Sequence, residues 1–269
     1  MGFAVRTGTP SPLMHLVSQF REAKGSAMVK NFIKSALLAA GLELRRHNPA
    51  YSAEAQIANV LRRQVIDCVF DVGANVGQFA REVRRLGYAG DIVSFEPLSS
   101  AWAELAAASA NDARWSVAPR MAIGADDGET RINIAGNSVS SSVLDMLQSH
   151  AGAAPESRYT GHEAVRVARL DTVAPDYLTA DTRLYLKIDT QGFEAAVLAG
   201  AAQTLARTHA VQLELSLTAL YAGQARFEAI VATLHAAGFE IWTLWPGFAD
   251  VASGRLLQID AIFVRTESQ

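Results

Sequence analysis

The residues best suited to chemistry begin at an aspartate that ends an apolar run and is followed at once by glycines. In the stretch VFDVGANVGQF, Asp71 is followed by Gly73 and Gly77. Glycines let the backbone approach a ligand without a Cβ in the way. In an open α/β sheet the ligand lies outside the carboxyl ends of the strands, and the first strand-to-helix turn comes closest to it. The stretch therefore predicts a ligand-binding turn.

The spacing of the glycines separates two candidate ligands. A dinucleotide fold spaces its glycines G-x-G-x-x-G to seat a pyrophosphate on the helix N-terminus, whereas this turn reads G-A-N-V-G. Asp71 would repel a pyrophosphate, yet it could attract the ammonium and sulfonium charges of S-adenosylmethionine. Glu96 ends the next apolar run, where a carboxylate can accept hydrogen bonds from both hydroxyls of an adenosine ribose. The pattern favours S-adenosylmethionine over NAD. The alternative is that neither acid binds a ligand, and that Asp71 caps the turn while Glu96 is a solvated strand end.

Alternating strand and helix patterns would position this turn. From residue 65 onward short apolar runs alternate with helical patterns, which indicates βαβ units and a parallel sheet. Two segments that alternate apolar with polar residues, TRINI and AVRVARL, flank a serine-rich loop and predict an added hairpin or edge strands. One continuous helix is expected through FEAAVLAGAAQTLA. Strands are expected at CVFDV, DIVSFEP, WSVAPRMAIG, RLYLKID and AVQLELS, followed by FEIWTLW and DAIFVR, which could pair antiparallel because no helix separates them.

Bulk properties exclude several classes of protein. The 269 residues are half apolar and carry a formal net charge of −3, which predicts one large α/β domain with an appendage. Basic residues are spread along the chain and matched by acids, so no nucleic-acid partner is expected. The single cysteine, Cys68, lies in an apolar run and suits a reducing compartment. No apolar stretch approaches the about 20 residues that span a bilayer, and the N-terminus lacks the order of a signal peptide. A cytoplasmic protein is expected.

Six segments resemble, in the same order, those of the FkbM family of S-adenosylmethionine-dependent O-methyltransferases. They are FDVGANVGQF, VSFEPLSSAWAEL, AIGADDGETRINI, SVSSSVL, RLDTV and LKIDTQGFEAAVLAGA, and the resemblance covers roughly residues 65–265. It implies an α/β class I methyltransferase fold, which is Rossmann-like, with a seven-stranded, mostly parallel sheet whose last strand is antiparallel. It also implies methylation of a hydroxyl on a sugar, glycolipid or polyketide-type acceptor such as a macrolide.

The same resemblance assigns roles to residues of this chain. Gln191 stands where many members carry a glutamate, which argues against an acid–base role for that side chain. By position, the methionine end of the cofactor would be lined by Asp71, Gly73, Asn75 and Gly77, the ribose would be held by Glu96, and the adenine would be bordered by Ala122 and Ile123.

Methyl transfer to a hydroxyl also needs a group that takes up its proton. Asp189 ends the strand RLYLKID and is the first candidate, and Glu214 in AVQLELS is the second. The two could share Mg²⁺, or one could act alone as the base. Glu194 follows in the first turn of a helix, where the helix dipole alone favours an acid. Ser141 could contact the cofactor from a loop over the cleft or belong to a flexible turn, and Tyr221 could wall an acceptor pocket or fill core.

The chain is expected to divide into two parts. Residues 1–60 form a leader and a helical extension, and residues 61–269 form the S-adenosylmethionine-binding domain with an inserted segment at about 130–170. Within the extension, residues 26–46 carry an amphipathic helical pattern that either packs on its own domain or lies on a membrane surface, which would make the protein membrane-associated. The expected partner is a small-molecule or glycolipid hydroxyl acceptor, and the sequence gives no oligomeric state.

Two other functions compete with methyl transfer. A catalytically silent S-adenosylmethionine-binding module would keep the fold and use it for assembly, but the presence of Asp189 and Glu214 argues against it. An NAD-dependent oxidoreductase is disfavoured by the glycine spacing of the first turn.

Overall fold

The computed structural model describes residues 27–42 and 48–266. The chain divides into one unit of residues 1–48 and a second of residues 49–269. In the first unit, helix α1 (Ala27–Ala39) ends two residues before Gly41, whose φ of 73° is left-handed. A left-handed glycine just past the last turn is a common helix stop. The predicted helix over 26–46 is therefore shorter than expected, while residues 1–26 and 43–47 lie outside the described residues.

The second unit alternates helices and strands. Helix α2 (Ala53–Arg63) begins after Ser52, whose Oγ accepts a hydrogen bond from the Ala55 N–H at 3.4 Å. The other described helices are α3 (Gln78–Arg85), α4 (Ser99–Ser109), α5 (Gln148–Ala153), α6 (Leu170–Val173), α7 (Glu194–Ala199), α8 (Ala202–Arg207) and α9 (Phe227–Ala236). The described strands are β1 (Cys68–Val72), β2 (Asp91–Phe95), β3 (Trp115–Val117), β4 (Ala122–Gly124), β5 (Gly128–Ala135), β6 (Tyr159–Arg169), β7 (Leu184–Ile188), β8 (Thr208–Ser216), β9 (Phe239–Pro246), β10 (Ala249–Asp250), β11 (Arg255–Leu256) and β12 (Gln258–Arg265).

Seven of the described strands form one sheet in the order β3-β2-β1-β7-β8-β12-β9. The pairs from β3 to β8 are parallel, and β12 runs antiparallel to both β8 and β9. The expected seven-stranded sheet with an antiparallel last strand is confirmed. The order of connection reverses at β1, so the carboxyl ends of β1 and β7 meet at the switch point where ligands bind in open α/β sheets.

The added hairpin is confirmed, but the strand predicted before it is wrong in its extent. β5 and β6 pair antiparallel from Gly128–Val167 to Ala135–Tyr159 and form a second sheet with β4. The segment WSVAPRMAIG splits, so that β3 joins the main sheet and β4 joins the second sheet. Pro119 lies in the gap. Proline lacks the N–H that a ladder needs, so the strand cannot continue through it.

The helix predicted through FEAAVLAGAAQTLA is also interrupted. It forms α7 and α8, with Gly200 between them. A Cβ at Gly200 would lie 2.0 Å from the carbonyl oxygen of Gly124. Asp171 then accepts hydrogen bonds from the N–H groups of Gln203 at 3.0 Å and Thr204 at 2.8 Å, which caps α8. Tertiary contacts, and not helical periodicity, set this break.

Alternation along β1 places a buried acid beneath the first turn. Successive side chains of a strand point to opposite faces. Phe70 belongs to the larger apolar core on one face of the sheet, and Val69 belongs to the core on the other face together with Phe79 of α3. Asp71 shares the Val69 face and is fully buried. Within residues 27–42 and 48–266, no helix has the length and apolar character needed to cross a bilayer.

Candidate active site

A cavity of about 310 Å³ lies at the carboxyl edge of β1, β2, β7 and β8. Its lining includes Ser138 and Ser142 of the serine-rich loop that follows β5. Most of the residues expected from the sequence line it, namely Gly73, Asn75, Glu96, Ala122, Ile123, Ser141, Asp189 and Glu214. The other three, Asp71, Gly77 and Glu194, do not line it.

Glu96 follows β2 and reaches the cavity with both of its carboxylate oxygens already engaged. Its Oε2 accepts a hydrogen bond from the Asn75 N–H at 2.7 Å, and its Oε1 accepts one from the Leu98 N–H at 2.8 Å. Glu96 is only 4% exposed, and burial raises its pKa to about 7 despite these two bonds. Each oxygen keeps a second lone pair. The side chain can therefore order the first turn and still accept from two hydroxyls of a ligand.

Asn75 offers an unpaired acceptor to the same cavity. It adopts a left-handed φ of 46°, and its Nδ2 donates to Ser138 Oγ at 3.4 Å. Its Oδ1 is buried and has no hydrogen-bond partner among the described residues. A buried acceptor without a partner is costly. Asn75 thus fits a ligand that donates hydrogen bonds, such as the ammonium group of S-adenosylmethionine.

Gly73 is required because two turns of the chain nearly touch. Its φ is 77°, and a Cβ there would lie 1.8 Å from the carbonyl oxygen of Asp189. The Asp189 N–H in turn donates to the Val72 carbonyl oxygen at 3.0 Å. The turns after β1 and β7 are therefore locked together, which brings Asn75 and Asp189 to one cavity.

Asp71, which the resemblance places at the methionine end, lies behind Lys187 and does not line the cavity. The Lys187 Nζ lies 3.0 Å from Asp71 Oδ1 and 3.6 Å from Asp189 Oδ2, and it donates to the Gly73 carbonyl oxygen at 3.3 Å. Burial raises the pKa of Asp71, and Lys187 opposes that rise. Burial alone would lower the pKa of Lys187, but Asp71 and Asp189 hold it above its ordinary value. Asp71 neutralises a buried cation that itself lines the cavity.

Gly77 and Glu194 also have structural places outside the cavity. A Cβ at Gly77 would lie 2.7 Å from the Trp115 ring, so this glycine permits close packing at the start of α3. Glu194 is buried, and its Oε1 accepts from the N–H groups of Thr190 at 3.1 Å and Gly192 at 3.0 Å. Burial raises the pKa of Glu194 to about 7. It anchors the turn after β7 and is not among the residues that line the cavity, so a catalytic role for Glu194 stays a prediction.

The two ends of the cavity differ in polarity. Ala122 and Ile123 of β4 are buried and line one part together with Ile132. Ser141, which also lines the cavity, uses its Oγ to accept from the Ala135 N–H at 2.9 Å. Apolar side chains of this kind suit the flat face of an adenine.

The other part of the cavity is acidic. The Asp189 side chain is 41% exposed, while Glu214 is held by Gln258, whose Nε2 donates to its Oε2 at 2.6 Å. The Gln191 Nε2 lies between the two acids, 2.7 Å from Asp189 Oδ1 and 3.4 Å from Glu214 Oε2. Burial, and then the charge of Asp189, raise the pKa of Glu214 well above its ordinary value. Asp260 lines the same region, and burial raises its pKa to about 6.

The predicted Mg²⁺ site at Asp189 and Glu214 is not supported. Among the described residues there is no group of three or more His, Cys, Asp or Glu side chains that could hold a metal ion. The place between the two carboxylates is taken by the amide of Gln191, which donates hydrogen bonds to them instead of supplying a third carboxylate.

Sequence reasoning missed three polar residues that lie beside the candidate acids. Lys187, Gln258 and Asp260 were not singled out, although Lys187 precedes Asp189 by two residues and therefore shares its strand face. The opposite charges of Asp71 and Lys187 could have predicted an ion pair. That prediction needs the register of β1 and β7, which places the two residues opposite one another.

The order and direction of the strands identify the fold class of this protein, and the sequence profile then identifies its family. The sheet order β3-β2-β1-β7-β8-β12-β9 with β12 reversed is the fold of class I S-adenosylmethionine-dependent methyltransferases, and the cavity lined by Asn75 and Glu96 lies at its switch point. Residues 71–241, more than half of the chain, match the sequence profile described as the Methyltransferase FkbM domain. The chain belongs to the FkbM methyltransferase family.

Solved structures with a similar arrangement include methyltransferases of very different sequence. The FkbM methyltransferase from Methylobacillus flagellatus KT is 13% identical with a TM-score of 0.45, covering 73% of this chain and 43% of that one. TehB from Haemophilus influenzae is 9% identical with a TM-score of 0.42, covering 78% and 62%. Fibrillarin from Aeropyrum pernix, solved with natively bound S-adenosyl-L-methionine, is 12% identical with a TM-score of 0.42, covering 86% and 73%. This chain thus spans less than two thirds of the length of the first two. No curated protein matches the sequence significantly.

Proposed function

We propose that this protein is an O-methyltransferase that acts on a hydroxyl of a sugar, glycolipid or polyketide-type acceptor. The observation that carries the proposal is that Asp189 and Glu214 line the same cavity as Asn75 and Glu96. The cofactor supplies an electrophilic methyl group on its sulfonium. The residues of this chain bind it, align the acceptor and manage one proton.

Each cofactor contact follows from a side chain with remaining hydrogen-bonding capacity. Glu96 accepts from the ribose hydroxyls through its free lone pairs, and Asn75 accepts from the ammonium group through its unpaired Oδ1. Ala122 and Ile123 border the adenine. Gly73 keeps the two turns close enough for these groups to face one ligand.

The acidic part of the cavity favours a hydroxyl as the methyl acceptor. An alcohol loses its proton during the transfer, so it needs a base, whereas a neutral amine attacks through a free lone pair. Asp189 is the accessible carboxylate and takes up this proton, while Glu214 is held behind it by Gln258. Above the pKa of Asp260, which is about 6, the carboxylates of Asp189 and Asp260 disfavour an anionic acceptor. A neutral polyhydroxylated molecule is the best fit.

Turnover with defined acceptors tests the proposal. The protein is incubated with methyl-labelled S-adenosylmethionine and neutral glycosides, glycolipids or macrolides, and each acceptor is paired with an analogue whose hydroxyls are already methylated. The expected result is S-adenosylhomocysteine and an O-methyl product from the free hydroxyl only. Tight cofactor binding with no acceptor-dependent S-adenosylhomocysteine would support a silent binding module instead. Methyl transfer to nitrogen would reject the hydroxyl assignment.

A further inference from the structure

Gln191 lines the acidic part of the cavity and lies at the centre of a hydrogen-bonded chain. Its backbone has a left-handed φ of 53°, which is uncommon for a residue other than glycine. Its carbonyl oxygen accepts a hydrogen bond from Ser142 Oγ at 2.7 Å. Both ends of its side-chain amide are also engaged, so the conformation of this residue is fixed from three directions.

The two ends of the Gln191 amide meet partners of opposite kind. The Nε2 donates toward Asp189 Oδ1 at 2.7 Å and Glu214 Oε2 at 3.4 Å. The Oε1 accepts from the Tyr221 hydroxyl at 3.0 Å. Rotating the amide by half a turn would place its oxygen against two carboxyl groups and its nitrogen against a hydroxyl. The Tyr221 hydroxyl, which also lies 3.3 Å from the Ser140 carbonyl oxygen, complements the orientation in which Gln191 donates to the acids.

Tyr221 is well placed to enforce this orientation. It is fully buried in an apolar cluster with Leu220 and Leu257. A Cβ at Gly192 would lie 2.9 Å from the Tyr221 ring, so the ring packs directly against the turn that carries Gln191. The ring of His150 also packs against the Tyr221 ring, edge to face, with centroids 5.1 Å apart. The position of the hydroxyl is thus set by packing and not by the cavity.

We infer that Gln191, oriented by Tyr221, is a positioning residue whose amide holds the carboxyl groups of Asp189 and Glu214 together at the acceptor side of the cavity. The inference rests on the proposed function for its catalytic meaning, but the arrangement itself belongs to the protein without cofactor. Two neighbouring acids repel one another when both are ionised, and a donor shared between them reduces that repulsion. The other charged groups around the pair are Lys187 of β7, Asp260 of β12 and Glu194 of α7.

Removing the shared donor should make ionisation of the pair harder. In Gln191→Met the side chain keeps its length but donates nothing, so the titration midpoint of Glu214, whose pKa burial and the charge of Asp189 already raise, moves to higher pH. Tyr221→Phe leaves the donor in place but lets the amide rotate, so the shift has the same direction and is smaller. The matched control is Tyr159→Phe, because the Tyr159 hydroxyl donates to the Leu144 carbonyl oxygen at 2.6 Å in the same apolar cluster and touches neither acid.

Carbon-detected NMR titration of the side-chain carboxyl groups in the cofactor-free protein is the first measurement. Acceptor-dependent turnover against pH is the second. We expect both variants to shift the acid limb of kcat to higher pH, with kcat reduced about 10- to 100-fold in Gln191→Met and about 3- to 10-fold in Tyr221→Phe. The dissociation constant for S-adenosylmethionine should stay at the wild-type value, and Tyr159→Phe should match the wild type throughout.

The double variant separates positioning from general destabilisation. If Tyr221 acts through Gln191, adding Tyr221→Phe to Gln191→Met changes the titration no further. Carboxyl midpoints in Gln191→Met equal to those of the wild type would overturn the inference, and so would full additivity in the double variant. A wild type that is inactive with every acceptor would reject the proposed function alone, because the carboxyl titration still decides the role of Gln191.

Discussion

Replacing Glu96 by glutamine should weaken cofactor binding and also remove its pH dependence. In the wild type, Glu96 accepts from the N–H groups of Asn75 and Leu98 and has one lone pair left on each oxygen for the ribose. A glutamine keeps one oxygen and turns the other position into a donor. It is also neutral at every pH. Glu96→Gln thus removes an acceptor for one ribose hydroxyl together with the ionisable group.

The size of the effect follows from the burial of Glu96. Because burial raises its pKa to about 7, lowering the pH from 8 to 6 reduces the ionised fraction about tenfold, and the wild-type affinity for S-adenosylmethionine should fall by about the same factor. Losing hydrogen bonds to a charged group costs about 1.5 to 3 kcal/mol, so at pH 8 the variant should bind about 10- to 150-fold more weakly. Between pH 8 and pH 6 the affinity of the variant should stay constant.

Titration calorimetry with S-adenosylmethionine at several pH values measures both effects. Glu163→Gln is the matched control, because the Glu163 Oε1 also accepts a backbone hydrogen bond, from Ser99 N–H at 2.7 Å, but Glu163 does not line the cavity. Thermal unfolding of each variant shows whether the turn still folds. The reasoning is refuted if Glu96→Gln binds as tightly as the wild type at pH 8, or if wild-type affinity is the same at pH 6 and pH 8.

Three further outcomes are expected. Asp189→Asn should lower kcat about 10²- to 10⁴-fold with cofactor affinity unchanged in calorimetry, since a positioned base is lost; full activity would remove Asp189 from the mechanism. Burial raises the pKa of Glu194 to about 7, so its contribution to stability is present below its ordinary value and is lost as the pH rises through about 7. Thermal scans of the cofactor-free protein from pH 5 to pH 8 should therefore show a smaller loss of stability in Glu194→Gln, and an equal loss would contradict this. If residues 26–46 lie on a membrane surface, deleting them should reduce sedimentation with anionic vesicles while sparing cofactor affinity, because their apolar stripe and lysines would supply the attraction; equal sedimentation would leave the segment a packing role.

Local patterns were sufficient for most of the fold. Residues adjacent in the sequence were enough to predict the strand that contains Asp71 and the strands in TRINI and AVRVARL. These strands form where they were expected. The failures lie where distant parts of the chain decide. Gly200 breaks a helix because it touches the carbonyl oxygen of Gly124, which is not visible in helical periodicity.

The same reason explains which parts of the site could be predicted. Asn75 and Glu96 belong to a compact motif whose spacing is readable, and they face one cavity. The partner of Asp71 could not be read, because Lys187 becomes its neighbour only through the pairing of β1 with β7. The contact between Gln191 and Tyr221 likewise joins two loops that have no common sequence pattern.

A crystal structure of the protein with S-adenosylhomocysteine tests the central claim most directly. The account predicts both ribose hydroxyls within hydrogen-bonding distance of the Glu96 carboxylate, the amino group at Asn75 Oδ1, the adenine against Ala122 and Ile123, and the sulfur facing Asp189. A molecule bound outside this cavity, or one with its adenine at Asp189, would contradict it.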